Sequence, residues 1–131
     1  MVFLSGSFGA SVVIVFCSFR SPIAQPRNLI GGHVIGAVSG CIMRITLNDF
    51  EHSVACALAV SIAIVVMQLT ETLHPPGGAT AFIAVNIQPT LPWANFLFIF
   101  LPILSGACII LIVALVVNNI PSKRTYPSFW W

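Results

Sequence analysis

Long apolar runs, separated by short polar or proline-containing stretches, set the hydropathy pattern of this chain. A spanning helix needs about 20 apolar residues. Three runs meet that length, and they predict membrane spans at Leu29–Leu47, Ser53–Leu73 and Asn95–Asn118. Ala79–Ile87 predicts a helix of about 14 Å, too short to cross alone. Met1–Phe19 is rich in small residues in its first half, which predicts a half-helix or a whole span with a closely packed first half.

The connections between these runs are polar or contain proline. They predict loops at Arg20–Asn28, Asn48–His52 and Asn86–Trp93. A sharper break is the run His-Pro-Pro-Gly-Gly-Ala-Thr-Ala at His74–Ala81. Proline has no N–H donor and disfavours helical geometry in the residue before it. The pattern therefore predicts that one helix ends near Leu73 and that another begins near Gly78.

Composition settles the environment of these helices. Of the 131 residues 58% are hydrophobic and only 6% are charged, and the mean hydropathy is +1.03. Soluble domains carry about 25% charged residues, so the pattern predicts an all-α, polytopic transmembrane helix bundle whose main partner is the lipid bilayer. The net charge of +2 and the lack of a basic patch with interleaved aromatic residues give no support to a nucleic-acid partner. The four cysteines are far apart, with no C-x-x-C pair, so we expect neither a metal nor another cofactor.

The positive charges bear on topology. Four basic residues flank the predicted spans, namely Arg20, Arg27, Lys123 and Arg124. If all four lie on the inner side, the chain between them crosses the membrane an even number of times. Segment 77–93 would then be a fourth crossing, and a re-entrant loop is the alternative.

A weak internal repeat relates two parts of the chain. Gly-Ala-Ser at Gly9 and Gly-Ala-Thr at Gly78 lie 69 residues apart, and each precedes a short apolar run, a proline loop and a span. Short, glycine-interrupted segments at matching places in two halves are typical of secondary transporters. We therefore predict a single domain with halves at about 1–48 and 53–120 and an interfacial tail at 121–131.

The repeat also predicts something beyond this chain. Ser53–Leu73 precedes the second small-residue cluster, whereas no span precedes the first. We expect a span N-terminal to Met1, which would make the chain a fragment or a short form. A second copy, or a helix from a partner, would otherwise fill that position.

Five motifs, in the same order, resemble the HPP family of integral membrane proteins. They are Gly6–Ser11, Ser21–Asn28, Gly31–His33, His74–Ala81 and the terminal Tyr126–Trp131. The resemblance covers about residues 6–131 and implies a four-span protein with a transport role, and plastid and cyanobacterial members are implicated in nitrite transport. The resemblance does not decide whether the protein lies in the plasma membrane or in a plastid envelope. By this resemblance, we expect the family's first span to be missing from this sequence.

The small-residue clusters suggest an anion site. Helix N-termini favour anions, through free N–H groups and the helix dipole. Two helix starts, near Gly9 and near Gly77 and Gly78, could face one another and hold nitrite, with the hydroxyls of Ser11 and Thr80 as further donors. Chloride or a neutral solute would also fit. Close helix packing through small residues is the alternative, and the pattern does not separate the two.

His74 has three interpretations: an anion donor, a proton carrier for co-transport, or a cap on the carbonyl groups of its own helix. Glu71 lies three residues earlier, so the two would share a helix face. A lone Glu-x-x-His is weak support for a metal site. Pairing of Glu71 with a basic group, or a position at the membrane interface, is favoured. Arg27 and His33 could form the positive rim of an anion path. Alternatively, Arg27 is an interfacial anchor and His33 a hydrogen-bonded packing residue.

The sequence thus favours a transporter of a small inorganic anion, with nitrite as the leading substrate. The alternative is a non-transporting module that packs a larger membrane assembly. Motifs such as G-x-S-x-G and H-E-x-x-H are absent, and we do not expect an enzyme.

Overall fold

The computed structural model describes residues 2–47, 51–87 and 94–130, with side chains from residue 6 in the first range and from residue 96 in the last. All regular structure in these ranges is helical. The helices are α1 (Val2–Cys17), α2 (Pro26–Thr46), α3 (His52–Leu69), α4 (Pro75–Asn86), α5 (Ala94–Phe98) and α6 (Ser105–Val117). A 3₁₀ turn at Pro22–Ala24 precedes α2, and a wide π-helical segment, Ile99–Leu104, joins α5 to α6. The predicted all-α bundle is confirmed.

Within the described residues, three helices are long and apolar enough to cross a membrane: Pro26–Thr46, His52–Leu69 and Phe96–Val117. They correspond to the three predicted spans. Large apolar side chains on α3 and α6, such as Val65 and Ile112, are exposed on the surface of the bundle, where lipid would cover them. The chain is an integral, multi-pass membrane protein.

The break between α3 and α4 is placed differently from the prediction. α3 ends at Leu69 rather than near Leu73, and α4 begins at Pro75 rather than near Gly78. The prediction places the two prolines between the helices. They instead form the first turn of α4, where a missing N–H costs nothing and the fixed φ of proline suits a helix.

The predicted helix start near Gly9 is wrong. α1 runs without interruption from Val2 to Cys17, and Gly9 is exposed within it. Glycine and serine lower helix propensity without breaking a helix that neighbours support. The pairing of two facing helix starts is therefore lost, while the division into halves at 1–48 and 53–120 stays a prediction.

Pro102 interrupts the last span. Asn95–Asn118 was predicted as one helix, but Leu101 has φ −128° and ψ 110°, which are not helical. A proline inside a helix removes one hydrogen bond and pushes against the preceding turn. The wide segment Ile99–Leu104 accommodates it.

α4 lies at the centre and packs most closely on α2. A Cβ atom on Gly36 would overlap the backbone of Gly77, and one on Gly40 would overlap the carbonyl oxygen of Ala81. Glycines four residues apart allow this approach of two backbones in a membrane. Small residues on α2 and α4 thus serve helix packing at this contact.

The polar connections are only partly described. Residues 48–50 of the predicted Asn48–His52 turn and residues 88–93 of the predicted Asn86–Trp93 loop lie outside the described ranges. Whether segment 77–93 crosses or re-enters therefore stays a prediction. The tail after α6 folds back on the connection before α2, with Tyr126 buried against it.

Candidate functional site

Five polar side chains meet in the interior of the bundle, and we call them the central polar cluster. Ser7 and Ser11 come from α1, His33 from α2, and His74 and Thr80 from the start of α4 and its second turn. Ser7 is 2% exposed and the other four are 0% exposed. Polar groups inside a membrane are costly and usually functional. This cluster contains several of the site residues that the sequence predicts.

The side chains form one continuous hydrogen-bonded chain. Ser11 Oγ lies 2.9 Å from His74 Nε2 and 2.7 Å from His33 Nε2. The other ring nitrogen of His33, Nδ1, lies 2.8 Å from Thr80 Oγ1, which is 2.7 Å from Ser7 Oγ. Each imidazole therefore uses its Nε2 toward the same serine.

Backbone carbonyls terminate the chain at both ends. His74 Nδ1 lies 2.8 Å from the carbonyl oxygen of Ile23, in the connection before α2. At the other end the carbonyl oxygen of Pro76 lies 2.9 Å from Ser7 Oγ, as a second acceptor within reach of that hydroxyl. Since a carbonyl oxygen only accepts, His74 Nδ1 must carry a hydrogen.

This constraint fixes the direction of every following bond when both rings are neutral. His74 Nε2 then has no hydrogen, so the Ser11 hydroxyl donates to it. The single hydrogen of Ser11 is thereby used, and His33 must donate from its Nε2. His33 Nδ1 is then bare and accepts from the Thr80 hydroxyl, so the Ser7 hydroxyl donates to Thr80 Oγ1. The two histidines therefore hold opposite tautomers, which their partners impose.

Aromatic contacts hold the rings in place. The ring centroids of His33 and His74 are 5.1 Å apart with planes tilted by 59°, and the centroid of the Phe8 ring lies 5.2 Å from that of His33. A Cβ atom on Gly106 would overlap the Phe8 ring, so α6 packs against Phe8 and, through it, supports the cluster. Tilted ring pairs at this distance are favourable.

Four predicted site residues belong to the cluster: Ser11, His33, His74 and Thr80. Ser7 was missed, although it lies four residues before Ser11 and therefore on the same helix face. The accepting carbonyl groups could not be found from sequence, because they depend on how the loop before α2 meets α4.

The predicted glycines and arginine lie elsewhere. Gly77 packs backbone to backbone against Gly32, whereas a Cβ atom on Gly78 would have only an ordinary contact, 3.8 Å from Val60 Cγ1. Gly9 is exposed on α1. Arg27 lies near one end of the bundle, where its Nη2 donates to the carbonyl oxygen of Thr70 at 2.6 Å.

Two interpretations of the segment before α4 are corrected. His74 does not cap its own helix, since its side chain bonds Ile23 and Ser11 instead. Glu71 does not share a helix face with His74, because α3 has ended and Glu71 adopts a turn conformation with φ 55°. The predicted pairing of Glu71 with a basic group is confirmed: its Oε2 lies 3.4 Å from Arg27 Nη1, with side chains 78% and 25% exposed.

The chemistry available at the cluster is hydrogen bonding without a fixed charge. It offers hydroxyl and imidazole donors and acceptors but no carboxylate or guanidinium group. Among the described residues, no group of three or more His, Cys, Asp or Glu side chains could hold a metal ion. A separate cleft of about 240 Å³ between α2 and α3 is lined by apolar residues such as Val34, Val38, Ile62 and Val66. That cleft suits an apolar group rather than an ion.

Comparison with known proteins agrees with the motifs. The family model described as the HPP transmembrane region matches residues 1–127. Two curated proteins from Dictyostelium discoideum, both named as transmembrane proteins, are 56% and 51% identical to the chain. The alignments cover 100% and 99% of this chain but 46% and 42% of those proteins, so the chain spans less than half their length. No solved structure matches it. Since the match extends over nearly the whole chain, the chain belongs to the HPP transmembrane-region family.

Proposed function

We propose that the chain is the transmembrane part of a transporter for a small inorganic anion, with nitrite as the leading substrate. The observation that carries the proposal is the central polar cluster. Five buried polar side chains from three helices are expensive in a membrane protein unless they serve a function.

The donors of the cluster suit an anion of a few atoms. The hydroxyls of Ser7, Ser11 and Thr80 and the imidazole N–H groups can each turn toward an acceptor. They gather at the N-terminal end of α4, where the helix dipole favours negative charge. Pro75 and Pro76 supply no N–H groups there, so the side chains take the place of the backbone as donors.

The cluster is closed in this conformation, because its donors bond one another or a backbone carbonyl group. An anion would bind by exchanging these internal bonds for bonds to itself. Arg27, one-quarter exposed near one end of the bundle, would attract the anion toward the cluster. The glycine contacts between α2 and α4 would act as a rigid support rather than as ligands.

A structural module is the second candidate, and two observations favour it. The internal bonds of the cluster and the backbone contact of Gly36 with Gly77 are what a rigid helix clamp would need. Such a module would co-purify with a partner and carry no ion. A stable, monodisperse chain that transports nitrite would exclude this alternative.

Nitrite influx into proteoliposomes containing this chain tests the proposal. We expect influx above that of empty liposomes, reduced about tenfold in Ser11→Ala, which corresponds to a loss of about 1.4 kcal/mol. Ser61→Ala is the matched control, since Ser61 is exposed on α3 and bonds only within its own helix. Influx equal to that of empty liposomes from a folded chain, or equal loss in both variants, would refute the proposal.

A further inference from the structure

We propose that the central polar cluster is a single-proton site, shared between His33 and His74, and that it carries one proton together with each anion. The coupling to an anion rests on the proposed transport function. The proton site itself rests on the hydrogen-bond geometry alone.

The neutral cluster has two bare ring nitrogens, His74 Nε2 and His33 Nδ1. Each accepts a hydrogen bond from a hydroxyl, Ser11 in the first case and Thr80 in the second. A proton can bind at either nitrogen only if that hydroxyl turns its hydrogen elsewhere. The structure provides an alternative acceptor for both hydroxyls.

Each hydroxyl has the backbone carbonyl oxygen four residues earlier within reach. Ser11 Oγ lies 3.2 Å from the carbonyl oxygen of Ser7, and Thr80 Oγ1 lies 3.2 Å from that of Pro76. When His74 takes a proton, its Nε2–H donates to Ser11, whose hydrogen turns to Ser7. Protonation of His33 likewise turns the Thr80 hydrogen to Pro76. Either ring thus gains a proton without any heavy atom moving.

Ser11 also connects the two rings for proton transfer. A proton bound at His33 Nδ1 lets His33 pass its Nε2 hydrogen to Ser11 Oγ, while the original hydrogen of Ser11 moves to His74 Nε2. His33 ends as the neutral Nδ1–H tautomer, Ser11 keeps one hydrogen, and His74 carries the charge. One proton enters and one proton is held, so the step balances.

The capacity of the site is one proton. The ring centroids are 5.1 Å apart in the interior of the bundle, where two positive charges repel strongly. The first proton therefore opposes the second.

The charged groups on the surrounding elements have other contacts. Arg27 binds Glu71 and the carbonyl oxygen of Thr70, while Arg20 lies over the Phe19 ring. Arg44 donates to carbonyl groups at the far end of α4. The remaining ionisable groups on α1–α3 are Cys17, Cys41, His52 and Cys56. No hydrogen bond of a carboxylate to the cluster is seen in the described residues, so the proton charge would be balanced by the substrate.

Charge balance is the physical reason for coupling. A monovalent anion moving alone would place an unpaired charge inside the bundle, which is strongly unfavourable. One proton on the histidine pair neutralises it. Transport would then be electroneutral, one proton with each nitrite.

The first experiment measures the proton site without transport. The ¹⁵N NMR spectrum of histidine-labelled protein in lipid nanodiscs distinguishes ring tautomers, and His52→Gln leaves only the two cluster histidines. At neutral pH we expect one Nδ1–H and one Nε2–H tautomer, and on acidification one proton in total. Identical tautomers, or two independent protonations, would overturn the proposal. So would two rings that stay neutral while the fold persists.

The second experiment measures coupling in proteoliposomes that contain a trapped pH-sensitive dye. After subtraction of nitrous acid leakage in empty liposomes, we expect one proton for each nitrite and no effect of a clamped membrane potential. Thr80→Val should reduce proton-coupled flux about tenfold, whereas Thr80→Ser keeps the hydroxyl and should restore it.

The outcomes separate the two proposals. Nitrite flux that follows the membrane potential without proton movement overturns the coupling and leaves the transport function standing. A folded chain without flux refutes the transport function and, with it, the coupling. The NMR result then decides the single-proton site by itself.

Discussion

Gly36 on α2 and Gly77 on α4 lie backbone to backbone, so close that a Cβ atom on Gly36 would overlap the carbonyl oxygen of Gly77. A rigid backbone atom cannot move aside as a flexible side chain can. A Cβ atom on Gly77 would likewise overlap the carbonyl oxygen of Gly32. Gly36→Ala and Gly77→Ala should therefore each lower the free energy of unfolding by about 1–3 kcal/mol. Thermal unfolding in a mild detergent measures the change.

Gly78→Ala is the matched control for this packing. It changes the next residue of the same helix, where a Cβ atom would lie 3.8 Å from Val60 Cγ1 in ordinary contact. We expect no loss of stability, because alanine also favours the helix over glycine. Equal destabilisation at Gly77 and Gly78 would mean that the close approach of α2 and α4 is not what the glycines provide.

Asn28 holds the segment that leads into α4. Its Nδ2 donates to the carbonyl oxygen of Leu73 at 2.9 Å and to that of Glu71 at 3.4 Å. Asn28→Ala would leave these carbonyl groups without the donor, and Asn28→Asp would replace it with an acceptor. Each should lower the free energy of unfolding by about 1–3 kcal/mol, the usual cost of an unpaired buried polar group.

The control for Asn28 is Gln68→Ala, which removes an exposed amide side chain at the end of α3. Unfolding in detergent should show little change for Gln68→Ala. If Asn28→Asp were as stable as the unaltered chain, the segment before His74 would be held by other contacts.

The sequence predicted the broad architecture because spans are long and their hydropathy is local. Ser11, His33, His74 and Thr80 could also be picked out, since polar residues stand out in an apolar chain. What could not be predicted was which helix faces meet. Gly9 was selected with Ser11 as a helix start, yet the continuous helix α1 turns Gly9 outward and Ser7 inward. The partners of His74 likewise depend on the tertiary placement of a loop, which no local pattern encodes.

Arg44 stabilises the C-terminal end of α4. Its guanidinium group donates to the carbonyl oxygens of Ala84, at 3.2 Å, and of Ile87. The last carbonyl groups of a helix lack partners within the helix, and a cation there also interacts favourably with the helix dipole. Arg44→Met, which keeps an apolar stem, should lower the free energy of unfolding by up to about 2 kcal/mol.

Arg44→Lys tests whether the positive charge or the shape of the guanidinium group stabilises the end of α4. Lysine keeps the positive charge but presents a single ammonium group, so we expect partial recovery of stability relative to Arg44→Met. Hydrogen exchange of the last turn of α4 should increase in the methionine variant. Unchanged exchange there would contradict the capping role.

Tyr126 fixes the tail to the connection before α2, since its hydroxyl donates to the carbonyl oxygen of Ala24 at 2.7 Å. Tyr126→Phe should lower the free energy of unfolding by about 1 kcal/mol.

The phenol is buried, and burial raises the pKa of Tyr126 above its ordinary value. The folded state therefore favours the neutral phenol. Its contribution to stability is present below the unfolded pKa of about 10 and is lost as the pH rises through the folded value.

The alkaline behaviour can be followed directly, because Tyr126 is the single tyrosine of the chain. Phenolate absorbance should appear at higher pH in the folded protein than in denatured protein. Stability should fall above about pH 10 more steeply in the unaltered chain than in Tyr126→Phe, which retains the lysine and arginine residues and so controls for their titration. Phenolate formation at the same pH in the folded and denatured chains would show that the tail does not bury this hydroxyl.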